Sequence, residues 1–466
     1  MLTWALFALA GDPLWSIVPL CLAAVVLTAM ERPRVFGGSS VLDASLVASL
    51  VAIALQLVPL PTAWRLFLSP VNVALIALEG IAKPSPSLPP DAVPLTLNPA
   101  GTVVSLCLAV TLVLTFWCAR SIFHRGQLRT TVRWIAWTGL LLAAMTMVLR
   151  ALSPVLVYGI FPPVSKTQTF GPFVSRNDFA SWNVMALPLV LGYAVTRMQA
   201  HVKTDGTPID VEEAVDDLFL WLAASIGLMA AVLVLAASRS GLIGVSAALV
   251  LFVVLTRRQA SGRNRWVLVG ALVGLVIFAL SYGNFDRLAA RLGETMDKGL
   301  GERPDIWAMT IALAKDFPWV GVGAGAYEHA MLLYQPAPHL FYYNEAHNEY
   351  LQLAAEGGVL VCVPLLVALV AAVSTLVRRL AQEDGAVVWT RAGAVAAMAG
   401  IAVQSIWETG LRMPANGVLF AVAAAVAMYP PHGRRHHRRH REPWQWSAAP
   451  EPGRQAADDA IDIPDW

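Results

Sequence analysis

Charge is scarce in this chain. Asp, Glu, Lys and Arg make up 14% of its 466 residues against an apolar share of 57%, and the formal net charge is only +2. So lean a polar complement excludes a soluble globular protein of this length. The near balance of signs excludes the basic field that a nucleic-acid partner would need. Cysteine is sparse too. Cys21, Cys107, Cys118 and Cys362 all fall inside apolar runs, too far apart for a metal motif, so neither disulfides nor zinc are expected. Leu2–Ala10 has no basic leader and no small-residue cleavage site, so it does not read as a signal peptide. No internal repeat is visible.

Apolar runs are what the chain has in excess. A bilayer core takes about 20 apolar residues per helix. Such runs lie at 13–30, 41–60, 102–119, 134–152, 179–198, 218–237, 241–256, 266–282, 358–377, 391–407 and 415–429. The run at 66–82 is interrupted by Pro70 and Glu79 and reads as an interfacial or re-entrant helix. The expected fold is an all-α polytopic membrane protein of about 11–12 transmembrane helices.

Arginine sets the orientation. The short segments 120–133 and 257–265 are thick with it, which marks them cytoplasmic and places the polar segment 283–357 on the outer, periplasmic side. Polar stretches at 62–101 and 153–178 share that face. Three parts follow: N-terminal transmembrane helices over 1–164, a core over 165–429 that includes one large helical periplasmic loop at 283–357, and a tail at 430–466. The tail opens on Arg434, Arg435, Arg438, Arg439 and Arg441 and is expected to be disordered and cytoplasmic. Its basic block reads as a topology anchor, with membrane lipid headgroups as the other reading.

The chemistry is concentrated near the outer boundary. Arg239, in Ser238-Arg239-Ser240-Gly241, sits between two apolar runs with almost no loop, where an ionised residue is costly. It either snorkels to headgroup phosphate or serves a substrate, and the short turn favours the second. Arg303, read alone, is a loop arginine pairing with Glu302 or Asp305. His347 stands beside Asn348 among Glu345, Glu349 and Glu356. A zinc site from His339, His347 and a carboxylate lacks any recognised spacing. Gly321-Val322-Gly323-Ala324-Gly325 lacks the Lys-Ser/Thr of a phosphate loop and reads as a tight turn of close backbone approach. Arg176 and Asn177 stand at the mouth of a span and are candidates for the same cavity. Glu408 and Arg412, four apart, are expected to pair. Residues 303–316 space Ile306, Met309, Thr310 and Leu313 as a helix, and a second helix is expected from about Asn348 into the next span.

In order, Ser-Arg-Ser-Gly at 238–241, Arg-Pro-Asp-Ile-Trp at 303–307, Pro-Trp-Val-Gly-Val-Gly-Ala-Gly at 318–325 and His-Asn-Glu-Tyr-Leu-Gln-Leu-Ala-Ala-Glu-Gly at 347–357 resemble the O-antigen ligase and polymerase superfamily of bacterial membrane glycosyltransferases. Gly171–Ala180 resembles its upstream motif and Trp407–Pro414 its closing turn, with Ser175-Arg176-Asn177-Asp178 where the family commonly has Asn-Pro-Asn, and Val361 where a second glycine often follows.

The resemblance covers about 165–430. It implies a GT-C-like, metal-independent inverting enzyme without cofactor in the inner membrane. The donor would be an undecaprenyl-diphosphate-linked glycan and the acceptor lipid A–core or another glycan. On it, His347 is the general base, Arg239 and Arg303 hold the diphosphate, and Arg176, Asn177, Asn348, Glu356 and Arg412 are candidate substrate contacts. One dominant outer loop points to a ligase over a polymerase. A transporter or flippase would instead need ionisable residues near span centres and two related halves. Trp307, Trp319, Tyr342 and Tyr343 read as an interfacial aromatic belt, with sugar stacking as the alternative.

Overall fold

The computed structural model describes residues 1–11, 13–35, 39–74, 92–162, 169–200, 216–259, 303–336, 343–382 and 387–429. Met1–Pro430 forms one compact unit, and Pro431–Trp466, which holds the basic tail, is a second that lies outside the described residues. The expected span at 266–282 also lies outside them.

The described residues are mostly helical. In order come α1 (Leu2–Phe7), α2 (Leu14–Glu31), α3 (Ser40–Leu55), α4 (Thr62–Leu68), α5 (Pro99–His124), α6 (Leu128–Leu152) and α7 (Arg176–Ala200). Then follow α8 (Asp217–Ala236), α9 (Arg239–Thr256), α10 (Arg303–Asp316), α11 (Tyr327–Met331), α12 (Glu349–Gln382), α13 (Val387–Gln404) and α14 (Pro414–Met428). Eight of them, α2, α5 to α9, α12 and α13, are long and apolar enough to cross a membrane, and α3 and α14 are shorter apolar helices. Strand structure among the described residues is one two-residue antiparallel ladder, Leu60–Pro61 against Ala92–Val93. The run expected at 66–82 is no single helix: α4 ends at Leu68, and Ser69 breaks it with φ −154° and ψ 71°.

Local chemistry sets where helices begin. Ser39, Asn98, Asp216 and Ser238 each accept a hydrogen bond from the amide three residues on, the N-cap arrangement that answers an otherwise orphaned donor. Packing sets how closely they lie. A Cβ built on Gly393 of α13 would stand 2.4 Å from the Pro188 carbonyl of α7, and one on Gly244 of α9 would stand 2.9 Å from the Gly400 carbonyl of α13. Only small residues permit such contacts, and they are how helices associate where water cannot drive them together. At the centre lies α14, an Ala- and Val-rich helix buried at nearly every position.

The two ends of the bundle differ. One gathers the arginines: Arg120 bonds Asp43 through both guanidinium nitrogens, Arg133 bonds Tyr193, and Arg391, 1% exposed, donates to the Ala427 and Tyr429 carbonyls that end α14. The other end carries a small second core around Ile306, Leu313, Phe317, Val322 and Tyr327, built from α10, α11 and the glycine turn. There Gly321, Gly323 and Gly325 have φ of 66°, 107° and 73°. A Cβ on Gly321 would fall 2.2 Å from the Glu356 carbonyl.

Gln56, just past α3 and 0% exposed, ties this end together. Its Nε2 donates to the Val320 and Glu356 carbonyls at 2.7 and 2.9 Å, and its Oε1 accepts from the Ala324 amide at 3.0 Å. The Glu356 carbonyl lies just before Gly358, where the helical path of α12 breaks at φ 53°. Gln56→Leu leaves the Val320 carbonyl and the Ala324 amide unmet, while the Glu356 carbonyl keeps the Gly323 amide at 3.1 Å. The expected result is a loss of about 1–3 kcal/mol per buried group left without a partner, read as a lower Tm in detergent.

Candidate active site

Four chain segments converge on one carboxylate, Glu408, in the turn between α13 and α14. Arg303, first residue of α10, donates from Nη2 to Glu408 Oε1 at 2.5 Å. Asn177, in the first turn of α7, donates from Nδ2 to the same oxygen at 2.8 Å. Ser240, in the first turn of α9, donates to it at 3.5 Å, and Ser238 donates to Asn177 Oδ1 at 2.8 Å. His347 Nδ1 faces the other oxygen, Oε2, at 3.5 Å, an ion-pair separation longer than a made hydrogen bond. Arg239 stands between the two serines, half-buried.

His347 is held in an unusual backbone position. Its φ is +48°, in the left-handed region that residues with a Cβ avoid. The surroundings enforce it. The Ala346 amide donates to Gln352 Oε1 at 2.8 Å, the Ala346 carbonyl accepts from Trp307 Nε1 at 3.0 Å, and Asn348 caps α12 by accepting from the Leu351 amide at 3.0 Å. Strain of about 1–3 kcal/mol held in this way is characteristic of functional positions. The Glu408 carboxylate raises the imidazole pKa above the ordinary histidine value, against burial, which works the other way. Nδ1 thus faces an acid, and no described residue hydrogen-bonds Nε2.

A second charged cluster lies beside the first. Arg412 Nη1 meets Glu356 Oε2 at 2.7 Å and its Nε meets Glu349 Oε1 at 3.2 Å. The expected Glu408–Arg412 pair is therefore not made. Residues 405–412 form a turn and a short 3-10 segment instead of an α-helix, so four residues apart do not share a face there. Thr409, between the two, donates to Glu345.

The expected residues thus fall into three groups. Arg303, His347 and Asn177 meet at Glu408, with Arg239 adjoining; Glu356 and Arg412 meet in the second cluster; and Asn348 spends its side-chain oxygen on a helix cap. Arg176 is exposed at the start of α7. Trp307 uses its indole N–H on the Ala346 carbonyl, Trp319 is exposed, Tyr343 packs against the second core, and Tyr342, His339 and Glu302 lie outside the described residues. Among the described residues, no group of three or more His, Cys, Asp or Glu could hold a metal ion.

Residues 224–366 match the family model described as O-antigen ligase. The chain carries an O-antigen ligase domain. The match spans Arg239, Arg303, His347 and Glu356, so the arginine and the histidine that meet Glu408 fall within the O-antigen ligase segment, as does Arg239. Asn177, Glu408 and Arg412 lie outside it and are brought to it by the fold. No curated protein matches the chain. A multi-pass helical protein with this domain is a membrane enzyme of the glycosyltransferase type.

Proposed function

We propose that this enzyme transfers a glycan from undecaprenyl diphosphate to an acceptor hydroxyl at the periplasmic face of the bacterial inner membrane, as an O-antigen ligase whose acceptor is lipid A–core. The observation that carries the reading is the convergence of Arg303 and His347 on opposite oxygens of one buried carboxylate. A lipid diphosphate leaves as an anion and needs charge to receive it. Arginine supplies that charge at any accessible pH, in a forked geometry that suits phosphate oxygens. Arg303 spends one donor on Glu408 and keeps others for the diphosphate, with Arg239 adjoining.

His347 is the base. Glu408 orients the ring through Nδ1, leaving Nε2 to take the acceptor's proton. The acceptor oxygen then attacks the anomeric carbon as the bond to diphosphate breaks. A single displacement of this kind inverts the anomeric configuration. Asn177 and the two serines keep Glu408 in place from α7 and α9. The arginine-rich end of the bundle is the cytoplasmic one on the same reading, which puts the Glu408 cluster outside.

The direct experiment is transfer in vitro from a lipid-linked glycan, offering lipid A–core in one reaction and a second lipid-linked unit in another. Transfer to the core supports the ligase. Transfer only to the second unit makes the enzyme a polymerase of the same superfamily, and transfer to neither removes the reading.

The raised imidazole pKa gives a pH prediction. A base works as the neutral ring, so the rate is expected to rise with pH through a midpoint above the ordinary histidine value of about 6.5. Glu408→Gln removes the main cause of the shift, so in that variant the midpoint is expected to move down toward the ordinary value. The stability contribution runs in the opposite sense. The pair favours the protonated ring, so its stabilisation is complete below the ordinary value and is lost as pH rises through the raised one. Pre-steady-state rates from about pH 5 to 9 check the first part, and Tm over the same range the second.

A further inference from the structure

One buried arginine serves neither charged cluster and meets no acid among the described residues. Arg65 of α4 is 4% exposed. Its Nε donates to the Leu60 carbonyl at 3.2 Å and its Nη2 to Thr62 Oγ1 at 3.1 Å, while Nη1 is buried without a partner. Arg120 and Arg303, by contrast, meet Asp43 and Glu408. A guanidinium withdrawn from water with neither counter-charge nor a full set of acceptors is costly, and it selects strongly for an anion.

Two more buried polar atoms stand unmet nearby. Ser69 donates its amide to the Arg65 carbonyl at 2.7 Å, and its hydroxyl, fully buried, has no partner. Asn72, also fully buried, donates from Nδ2 to the Leu95 carbonyl at 2.8 Å and leaves Oδ1 unpaired. Outside this polar interior, α4 presents bulk. Trp64, Leu66 and Phe67 are exposed, Phe67 by 77%. The segment is at the active-site end of the bundle, since Gln56 precedes it and Val71 packs on the second core. Exposed large apolar residues at that depth lie among lipid headgroups and the first methylenes of their chains.

We propose that Arg65 and Ser69 form a binding site for the phosphate of a membrane lipid. Nη1 and the serine hydroxyl donate to phosphoryl oxygens, Asn72 Oδ1 accepts from a headgroup hydroxyl or ammonium, and Trp64, Leu66 and Phe67 lie along the chains. The same chemistry is offered by two sources, the phosphodiester of an ordinary bilayer lipid and the diphosphate of a polyprenyl lipid.

Native mass spectrometry of the full chain in detergent tests this with three probes: phosphatidylglycerol, a phosphate-free galactosyl diacylglycerol, and undecaprenyl diphosphate. The expected result is one tightly retained phospholipid, retained about tenfold more weakly by Arg65→Gln, with no such change for the galactolipid. Arg65-dependence seen only with undecaprenyl diphosphate identifies the polyprenyl lipid as the source and supports the phosphate chemistry equally. Wild-type protein that ranks phosphatidylglycerol and undecaprenyl diphosphate no higher than the galactolipid overturns the proposal and needs no variant to fold. Retention by Arg65→Gln equal to wild type overturns it as well. Failure of glycan transfer in a separate assay would bear on the proposed reaction and not on this site.

Discussion

His347→Ala is expected to lower glycan transfer by about 10²–10⁴-fold while the protein still inserts and accumulates. Among the described residues that meet Glu408, the imidazole is the side chain suited to act as a base near neutral pH. An arginine side chain has donors and no acceptor, and one oxygen of the Glu408 carboxylate already meets three hydrogen-bond donors. The fold should tolerate the loss. The backbone on either side of His347 is fixed by Trp307, Gln352 and Asn348, whose hydrogen bonds there are made to backbone groups and not to the ring. Removing the side chain also relieves Nδ1, which is buried without a made hydrogen bond. Transfer from a lipid-linked glycan should therefore fail at the chemical step with donor binding retained. Partial recovery in added imidazole would mark the missing group as a base. Full activity of His347→Ala would end the assignment.

The membrane-spanning helices were legible because the bilayer imposes a length and a polarity that any single run must meet alone. The helix at 303–316 was legible for a similar local reason: Ile306, Thr310 and Leu313 are buried and Met309 half-buried, as their spacing requires. Contacts that cross the fold were not. Glu408 stands out in the sequence, but its spacing pairs it with Arg412 by a rule that holds only on a helix. Its true partners come from α7, α9, α10 and the strained turn before α12, up to 231 residues away. Gln56 carried no signal at all, because its acceptors are 264 and 300 residues away and both are backbone carbonyls. One local signal does point across the fold. Glu349 and Glu356, seven apart, share a helix face, and a half-buried and a buried carboxylate on one face call for a cation.

That cation is Arg412, and its loss is expected to act on the fold before it acts on chemistry. Arg412→Ala leaves Glu349 and Glu356 facing each other in a largely buried site with their shared counter-charge gone. Breaking a buried pair by removing one partner costs about 3–5 kcal/mol, and the partly solvent-facing guanidinium puts this case toward the lower end. Much of a membrane protein's folding margin disappears, so the variant should accumulate poorly and show a lower Tm. The double variant Arg412→Ala/Glu356→Gln removes one of the stranded charges and should recover part of that loss. Size-exclusion profiles and Tm for the wild type, both single variants and the double variant check the cycle. If Arg412 were instead a substrate contact, Arg412→Ala would accumulate and melt as the wild type does, losing transfer alone, and neutralising Glu356 would restore nothing. The geometry favours the cycle: both carboxylates lie within ion-pair distance of this guanidinium, and the glycine turn closes over the carbonyl of one of them.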